Sequence, residues 1–219
     1  MLEERLQTEE LMDDPALPEN IYRDVLADLA KVNRLTLAYR PTLHFLDRAL
    51  DNRKRLKLLD VGFGDGDMLR RIADWCEASG IAADLTGVDL NPRSERAARD
   101  ATRAAMPIRY VTGDYADLGG AGWDVVISSL VAHHMNREEL ALFLQFMDSE
   151  ARLGWFVNDL HRHAVSYSGY PVLATLAGWH PIVRQDGRTS IARSYRPDEW
   201  PPILDEAGIE NAEIERFFP

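Results

Sequence analysis

Short apolar runs alternate with stretches of helical periodicity along most of the chain. The short runs predict buried strands, whereas apolar residues three and four apart predict helices that bury one face. The predicted strands are residues 58–61, 84–88, 108–111, 123–128 and 154–158. The predicted helices between them are residues 67–78, 92–105 and 136–152. Strands that alternate with helices form β-α-β units with right-handed crossovers, so we predict an α/β fold with a doubly wound, mostly parallel sheet.

The residues before the first strand predict helices of their own. Apolar residues recur at helical spacing over residues 19–50, with a break predicted at Pro41. We therefore assign residues 1–50 to an N-terminal helical addition and residues 51–219 to the main domain. Two roles for the addition stay open, a cap over the ligand-binding end of the sheet or the surface of a homodimer.

Residues 161–196 interrupt the alternation of strands and helices. This segment is aromatic and basic in an acidic chain, and Asp186 is its only acid. Its arginines are Arg162, Arg184, Arg188, Arg193 and Arg196. Two interpretations stay open: an inserted lid over a substrate, or a loop whose arginines pair with surface carboxylates. After this segment, residues 198–207 predict a short helix and residues 212–218 predict a last strand.

Composition narrows the classes of function. With 219 residues, of which 46% are hydrophobic and 28% charged, the sequence suits one sizeable domain and contains no run long enough to span a membrane. Its acidic, polar start predicts no secretory signal, so we expect a cytoplasmic location. A net charge of −11 disfavours nucleic-acid partners, which are bound by clustered Lys and Arg. The single cysteine, Cys76, excludes an intrachain disulfide and a thiolate metal cluster.

A glycine-rich turn follows the first predicted strand. Gly62, Gly64 and Gly66 alternate with other residues directly after that strand and before a predicted helix. Glycine is needed where the backbone takes a positive φ or where a ligand lies close to the main chain. A dinucleotide-binding turn would carry its third glycine at position 67, but Asp67 stands there and its charge opposes a pyrophosphate. The turn therefore favours a neutral or cationic ligand.

Two acids follow later strands, at the same predicted edge of the sheet. A carboxylate at Asp89 could accept both hydroxyls of a ribose, and Asp114 could accept from an adenine amino group. The structural alternatives are a helix cap, for which Asn91 is already suited, and a turn-forming aspartate after glycine. We predict ligand-binding roles for both acids.

With these acids in place, residues 58–158 resemble the class I S-adenosylmethionine-dependent methyltransferases. The resemblance rests on Asp60-x-Gly62-x-Gly64-x-Gly66, Val88-Asp89, Gly113-Asp114 and Trp123-Asp124-Val125-Val126. The segment 128–134 is also similar to that of the small-molecule branch, which methylates quinone precursors, phenols and polyketide-type aromatics. The resemblance implies seven strands, the last antiparallel. Because the last predicted strand is only the sixth, two alternatives stay open: the chain is cut before the seventh strand, or the sheet lacks it.

The resemblance also implies a cofactor, S-adenosylmethionine, and the residues that contact it. These residues are Asp60, Gly62, Gly64, Gly66, Asp89, Leu90, Asp114, Tyr115 and Ser128. Leu90 would lie against the face of the adenine.

Three histidines are candidate catalytic bases. Histidine suits removal of a hydroxyl proton because its pKa lies near neutrality. His134 follows the fourth predicted strand, and His161 and His163 follow the fifth. The His-x-His pair with Asp159 could instead bind zinc or magnesium, or the histidines could make only backbone hydrogen bonds. We assign no metal site from the sequence.

The function predicted is methyl transfer from S-adenosylmethionine to a small molecule, as O-methylation of a phenolic or other aromatic acceptor in secondary metabolism. C- and N-methylation stay open, as does a carboxylate acceptor, which needs no base and would suit the arginines of residues 161–196. A non-catalytic subunit with the same fold is a second hypothesis, and the intact glycine turn counts against it. A nicotinamide-dependent oxidoreductase is a third, disfavoured by Asp67 and by the lack of a Tyr-x-x-x-Lys pair.

Overall fold

A computed structural model describes residues 2–217. Five strands lie in it: β1 Arg55–Val61, β2 Ala82–Asp89, β3 Ile108–Thr112, β4 Trp123–Ser129 and β5 Ala151–Asn158. Its α-helices are α1 Glu19–Leu35, α2 Tyr39–Leu50, α3 Asp67–Ser79, α4 Pro92–Ala101, α5 Arg137–Glu150, α6 Ala164–Leu176, α7 Pro181–Arg193 and α8 Trp200–Glu206. The predicted strands and helices up to residue 158 are thus all present, with ends that move by a few residues.

The five strands form one parallel sheet in the order β3-β2-β1-β4-β5. The predicted doubly wound α/β fold is therefore confirmed. The strand order reverses between the central strands β1 and β4, where Asp60 lies opposite Gly87 on one side and Ile127 on the other. A reversal of this kind opens a crevice at the carboxyl ends of the strands, and ligands bind there in open α/β sheets.

The sheet is buried on both faces because helices cover each of them. Leu58 and Leu59 are adjacent on β1 and fully buried, and their side chains point to opposite faces. Leu58 belongs to a core with Ile72 of α3, whereas Leu59 belongs to a core with Phe143 of α5. Two apolar layers therefore hold β1 at the centre and fix where the turn after it begins.

The helix boundaries follow ordinary capping chemistry. Gly80 ends α3 in the left-handed conformation, and the Asn91 side chain caps α4 by accepting from the Arg93 backbone amide. The break in the N-terminal helical region lies at residues 36–38, before the predicted position. Pro41 lies in the first turn of α2, where its missing N–H has no intrahelical partner to lose.

Residues 161–196 fold into the helical pair α6 and α7. Ala174 and Trp179 pack with Val183 of α7 and with Val25 of α1. The N-terminal addition and the predicted insertion therefore share one small apolar core. The division at residue 50 stays a prediction, but α1 and the α6–α7 pair are packed as neighbours.

Residues 2–13, named here the N-terminal strap, lie against α7 and the segment after β4. The fully buried side chain of Arg162 donates to the backbone carbonyls of Leu2, Glu3 and Ser194 and pairs with Glu199 at 2.5 Å. Arg5 continues the attachment through the Arg193 carbonyl and the Tyr195 hydroxyl, both at 2.6 Å. Buried arginine donors thus hold a segment that has little regular structure.

The predicted last strand is wrong over the residues that the structure describes. Residues 212–217 form no strand, and Ile214 and Phe217 are exposed. Alternation predicts a strand only where a neighbouring strand can pair and one face can be buried, and neither condition is met here. Phe218, the last residue of that prediction, lies outside the described residues. Over residues 2–217 the sheet has five strands rather than six.

Among residues 2–217, no helix combines the length and the apolar character needed to cross a bilayer.

Replacing the buried Arg162 by Met should destabilise the protein strongly. The substitution removes the donors of several carbonyls and leaves Glu199 without its partner, so we expect the unfolding free energy to fall by roughly 3 kcal/mol. Urea unfolding followed by circular dichroism measures the change. Arg23, exposed on α1, is the matched control, and Arg23→Met should shift the free energy by less than about 0.5 kcal/mol. Equal effects of the two substitutions would show that Arg162 does not hold the strap.

Candidate active site

A cleft of ≈ 2010 Å³ lies at the carboxyl ends of the strands. The glycine turn and Asp89 line one part of it, and residues of α1, α2, α6 and α7 line the opposite side. The predicted site residues that border the cleft are Asp60, Gly62, Gly64, Asp89, Leu90, Tyr115, His134, His161 and His163. These nine predicted residues thus lie at one cleft, and their roles stay predictions.

The three glycines of the turn differ in what they permit. Gly62, Gly64 and Gly66 all have positive φ, at +78°, +56° and +74°. A Cβ on Gly62 would collide with Val131 and one on Gly66 with the Tyr110 ring, so these two allow close packing. At Gly64 the nearest atom to such a Cβ is the Leu26 side chain at 3.8 Å. Of the three, Gly64 leaves most room for a ligand against the backbone.

Asp60 is a buried acid that borders the cleft. Its side chain belongs to the penultimate residue of β1 and is 2% exposed, and Oδ2 has no hydrogen-bond partner among the described residues. Burial, and secondarily the charge of Asp89, raises the pKa of Asp60 to about 7. A buried carboxylate without a partner is costly, so a cationic or donor group next to it would be strongly favoured.

Asp89 is held in a fixed orientation at the end of β2. Its Oδ2 accepts from the Gly64 amide at 3.0 Å, and its Oδ1 accepts from the Asn91 amide at 2.8 Å. Burial raises its pKa. The helix cap is made by Asn91, which leaves the Asp89 oxygens with free lone pairs for ligand hydroxyls. Beside it, Leu90 is 77% exposed at the cleft.

Of three further predicted cofactor residues, Tyr115 borders the cleft, whereas Asp114 and Ser128 do not. Asp114 is exposed and accepts from the Ala116 amide at 2.9 Å, as a turn-forming aspartate does. The Tyr115 ring packs on Phe143 and Phe146 of α5, with centroids at 5.0 and 4.8 Å. Ser128 is fully buried and donates its hydroxyl to the Val61 carbonyl at 2.9 Å. Cofactor contacts from Asp114 and Ser128 stay predictions.

The segment after β4 carries a strained residue. Leu130 has φ +61°, and its amide donates to the Asn158 carbonyl at 2.8 Å. A left-handed conformation is rare for a leucine and is found where neighbouring structure imposes it, frequently at ligand sites. Leu130 borders the cleft beside Val131, opposite Gly62. The strain thus lies at the crevice between β1 and β4.

The two histidines after β5 face the same cleft but differ in their hydrogen bonds. Their ring centroids are 5.4 Å apart, with His161 half-buried and His163 exposed. Burial lowers the pKa of His161, and the positive charge of Arg216 adds to the effect. His163 caps α6 by accepting from the Val165 amide at Nδ1, 3.3 Å away. Nδ1 of His163 is therefore already engaged as an acceptor, which makes His161 the better placed of the two to accept a proton from a ligand.

A second histidine pair, after β4, is surrounded by carboxylates. His133 is buried with Nδ1 2.7 Å from Asp159 Oδ1, and its Nε2 is 3.4 Å from Glu10 Oε1. Burial alone would lower the pKa of His133, but Asp159 and Glu10 raise it. The half-exposed His134 has Nδ1 3.3 Å from Asp13 Oδ2. The strap therefore brings two acids to residues that are distant in sequence.

Sequence reasoning missed the roles of Glu10 and Asp13. Both lie in a polar stretch without periodicity, which gives no sign of burial, yet Glu10 is 6% exposed. Only the fold brings that stretch against the segment after β4. His133 lies in the segment 128–134, and its pairing with Asp159 depends on the adjacency of β4 and β5.

Three of the five arginines of residues 161–196 hold the strap, and none of the five borders the cleft. Arg162 pairs with Glu199, Arg193 donates to the Thr8 and His134 carbonyls, and Arg196 donates to the Leu2 carbonyl. Arg188 lies over the Tyr167 ring, 4.3 Å from its centroid. Neither original interpretation of these arginines is complete, because most of their described partners are backbone carbonyls.

The chain was compared with known families and structures. The "Methyltransferase domain" family profile matches residues 58–149. The curated proteins contain no significant match. The plantazolicin methyltransferase BpumL, solved with a pentazolic desmethylPZN analog and S-adenosylhomocysteine, is 16% identical in sequence, with a TM-score of 0.62. The similar region covers 87% of this chain and 69% of the BpumL chain.

Two further solved structures are similar. The magnesium protoporphyrin IX methyltransferase ChlM from Synechocystis PCC 6803, with bound S-adenosylhomocysteine, is 19% identical with a TM-score of 0.54, covering 90% of this chain and 80% of its own. Human N-acetylserotonin methyltransferase, in complex with S-adenosylmethionine, is 17% identical with a TM-score of 0.63, covering 96% of this chain and 56% of its own. Residues 58–149 thus match the methyltransferase domain family, and the chain has the fold of the class I S-adenosylmethionine-dependent methyltransferases.

Proposed function

We propose that this protein transfers a methyl group from S-adenosylmethionine to a hydroxyl of a phenolic or other aromatic small molecule. One observation carries the proposal: an unpartnered buried acid and a fixed acid lie at one end of a cleft that extends past aromatic side chains to histidines. Asp60 and Asp89 form the first end. His161 lies farther along the same cleft.

The residues at the first end fit S-adenosylmethionine. Asp60 offers a buried negative charge to a cationic ligand, and S-adenosylmethionine carries both an ammonium and a sulfonium group. Gly64 leaves room against the backbone, and the Asp89 oxygens can accept from the ribose hydroxyls. When bound, the cofactor supplies a methyl carbon that is already activated for displacement. A pyrophosphate would meet Asp60, Asp65 and Asp67 along the cleft, which disfavours a nicotinamide cofactor.

The cleft also has room and chemistry for an aromatic acceptor. Its volume exceeds the roughly 300–1,000 Å³ of ordinary small-molecule pockets, so cofactor and acceptor can occupy it together. Phe45 and Phe156 stack at its wall, with centroids 5.0 Å apart and planes at 13°. None of the five arginines of residues 161–196 borders the cleft, so this segment supplies no guanidinium partner for a carboxylate acceptor there, which favours a phenol. The names of the three similar enzymes, each a methyltransferase of a small molecule, support a small-molecule acceptor.

His161 is the residue best suited to act as the base. Its lowered pKa keeps the imidazole neutral near pH 7, ready to accept a proton. The acceptor oxygen bonds to the methyl carbon as the carbon–sulfur bond breaks, and the hydroxyl proton passes to the imidazole of His161. Alignment of oxygen, carbon and sulfur supplies most of the rate, since the displacement itself needs no covalent intermediate. The net charge of −11 supports a small acceptor over a nucleic acid.

Calorimetric titration with S-adenosylhomocysteine is the first test. We expect micromolar binding by the wild type and at least about tenfold weaker binding by Asp89→Asn, because a charged hydrogen-bond partner is worth roughly 1.5–3 kcal/mol. NADH serves as the control ligand and should not bind. Tight binding of NADH alone would contradict the proposal, and binding of neither ligand would favour the non-catalytic subunit.

The raised pKa of Asp60 predicts a dependence of stability on pH. In the folded chain Asp60 keeps its proton up to about pH 7, whereas in the unfolded chain it loses it near pH 4. The folded state thus binds more protons between these values, and stability falls as pH rises through that range, by up to about 4 kcal/mol. Urea unfolding of the cofactor-free protein between pH 5 and 8 measures the slope.

Asp60→Asn should remove this contribution to the slope, while Asp100→Asn, at an exposed site on α4, should leave the slope unchanged. The same linkage predicts that S-adenosylhomocysteine binds more tightly at pH 8 than at pH 6, and that Asp60→Asn abolishes the difference. A wild-type slope identical to that of Asp60→Asn would rule out the raised pKa.

The role of His161 is tested with an active acceptor, identified by screening phenols against amines and carboxylates for products heavier by one methylene. His161→Gln should lower kcat by about 10²- to 10⁴-fold, the range of general-base catalysis, without weakening S-adenosylhomocysteine binding. His44, exposed on α2 at the same cleft, is the matched control, and His44→Gln should retain activity. Full activity of His161→Gln would remove His161 as the base.

A further inference from the structure

We propose that Glu10, His133 and His134 form a binding site for a divalent transition-metal ion at the wall of the cleft. The three residues each offer one ligand atom, and these atoms lie within 4.8 Å of one another. They come from two separate parts of the chain, the N-terminal strap and the segment after β4. All three residues border the cleft.

The spacing of the donor atoms is close to that of a metal site. Glu10 Oε1 is 3.4 Å from His133 Nε2 and 3.9 Å from His134 Nε2. Ligands at 2.0–2.2 Å from a tetrahedral zinc stand roughly 3.3–3.6 Å apart. The donor atoms of the two histidines lie within 4.8 Å of each other, so the half-exposed His134 side chain would have to move closer to complete the geometry around one ion.

The second nitrogen of each imidazole supports the assignment independently. His133 Nδ1 is 2.7 Å from Asp159, and His134 Nδ1 is 3.3 Å from Asp13. Histidines that bind metals nearly always donate their other nitrogen to a carboxylate or carbonyl, which fixes the tautomer and aims the free lone pair at the ion. Here both histidines have such a carboxylate, and both Nε2 atoms point towards the same Glu10 oxygen.

The charges around the cluster also favour a dication. Three carboxylates, Glu10, Asp13 and Asp159, lie around the two imidazoles. The guanidinium groups of Arg5 and Arg193 are also near, since they donate to the backbone carbonyls of His133 and His134. The carboxylates outnumber these two cations, so a divalent ion would balance more of the buried negative charge.

The third ligand is held in place before any ion binds. Glu10 is 6% exposed and accepts from the Ser190 hydroxyl at 2.6 Å. The next two residues, Leu11 and Met12, donate their amides to the buried carboxylate of Asp186, both at 2.9 Å. This part of the strap is therefore fixed against α7, and an ion bound by Glu10 would join it to the sheet.

The donor set indicates the class of metal and leaves coordination positions open. Two imidazoles and one carboxylate suit zinc, manganese, iron or cobalt, whereas magnesium and calcium prefer oxygen ligands. A site with three protein ligands keeps at least one position for water or substrate. If the proposed function holds, that position would take the oxygen of the acceptor hydroxyl and lower its pKa, in addition to the action of His161.

The test is a titration of the untagged full-length protein with Co²⁺, followed by visible absorption, and with Zn²⁺, followed by calorimetry. We expect one equivalent to bind. His134→Ala, which alters a half-exposed side chain, should weaken binding by more than about 100-fold, and Asp13→Asn should weaken it by about 10- to 100-fold. His44→Ala is the matched control and should bind as the wild type does. Glu10→Gln adds a measurement at a buried ligand, with folding checked by circular dichroism.

The proposal would be overturned if the wild type bound Co²⁺ no more tightly than His134→Ala, or if His44→Ala lost as much affinity as His134→Ala. A parallel titration with S-adenosylhomocysteine separates this result from the proposed function. Loss of metal binding in His134→Ala with cofactor binding intact supports the metal site. If the protein binds the metal but no S-adenosylhomocysteine, the result would support the metal site and contradict the proposed methyltransferase activity.

Discussion

The buried carboxylate of Asp60 is the constraint on which the cleft depends. A carboxylate without a hydrogen-bond partner destabilises a folded chain, and the sheet confines this one between β2 and β4, where its Oδ2 has no partner among residues 2–217. The turn after β1 has glycines whose Cβ positions Val131 and Tyr110 occupy, so the chain cannot move away without losing that packing. Such a cost is retained at a site where a ligand removes it. A cationic cofactor does so, and a pyrophosphate does not.

The opposite side of the cleft depends on contacts between residues that are far apart in sequence. Arg162 and Arg5 hold the strap against the end of α7, while Val25 of α1 packs into the core of the α6–α7 pair. The strap, α1 and the α6–α7 pair, named here the roof, thus come from segments before and after the sheet in sequence. A few buried guanidinium groups and a small apolar core hold the roof together.

The sequence predicted the sheet, the glycine turn and the edge where the acids lie, because these depend on local periodicity and on topology rules. The roof could not be predicted in the same way. The strap has no periodicity, and the burial of Glu10 depends on His133 and Ser190, residues more than a hundred positions away. The strand predicted at residues 212–217 failed for a related reason. Its alternation is a local pattern, but a strand also needs a pairing partner from elsewhere in the chain.

The two ends of the cleft differ in electrostatic character, and this difference bears on how methyl transfer would proceed. At the cofactor end, buried acids stabilise positive charge, which is lost when a sulfonium becomes a neutral thioether. At the acceptor end, a phenol must lose a proton, and either the neutral His161 or an ion held by Glu10 and the His133–His134 pair can accommodate the negative charge that develops on its oxygen. Because Glu10 belongs to the strap, the second route requires the strap to lie against α7, where Ser190 and Asp186 hold it. The position of the strap and the activation of the acceptor would then depend on the same residues.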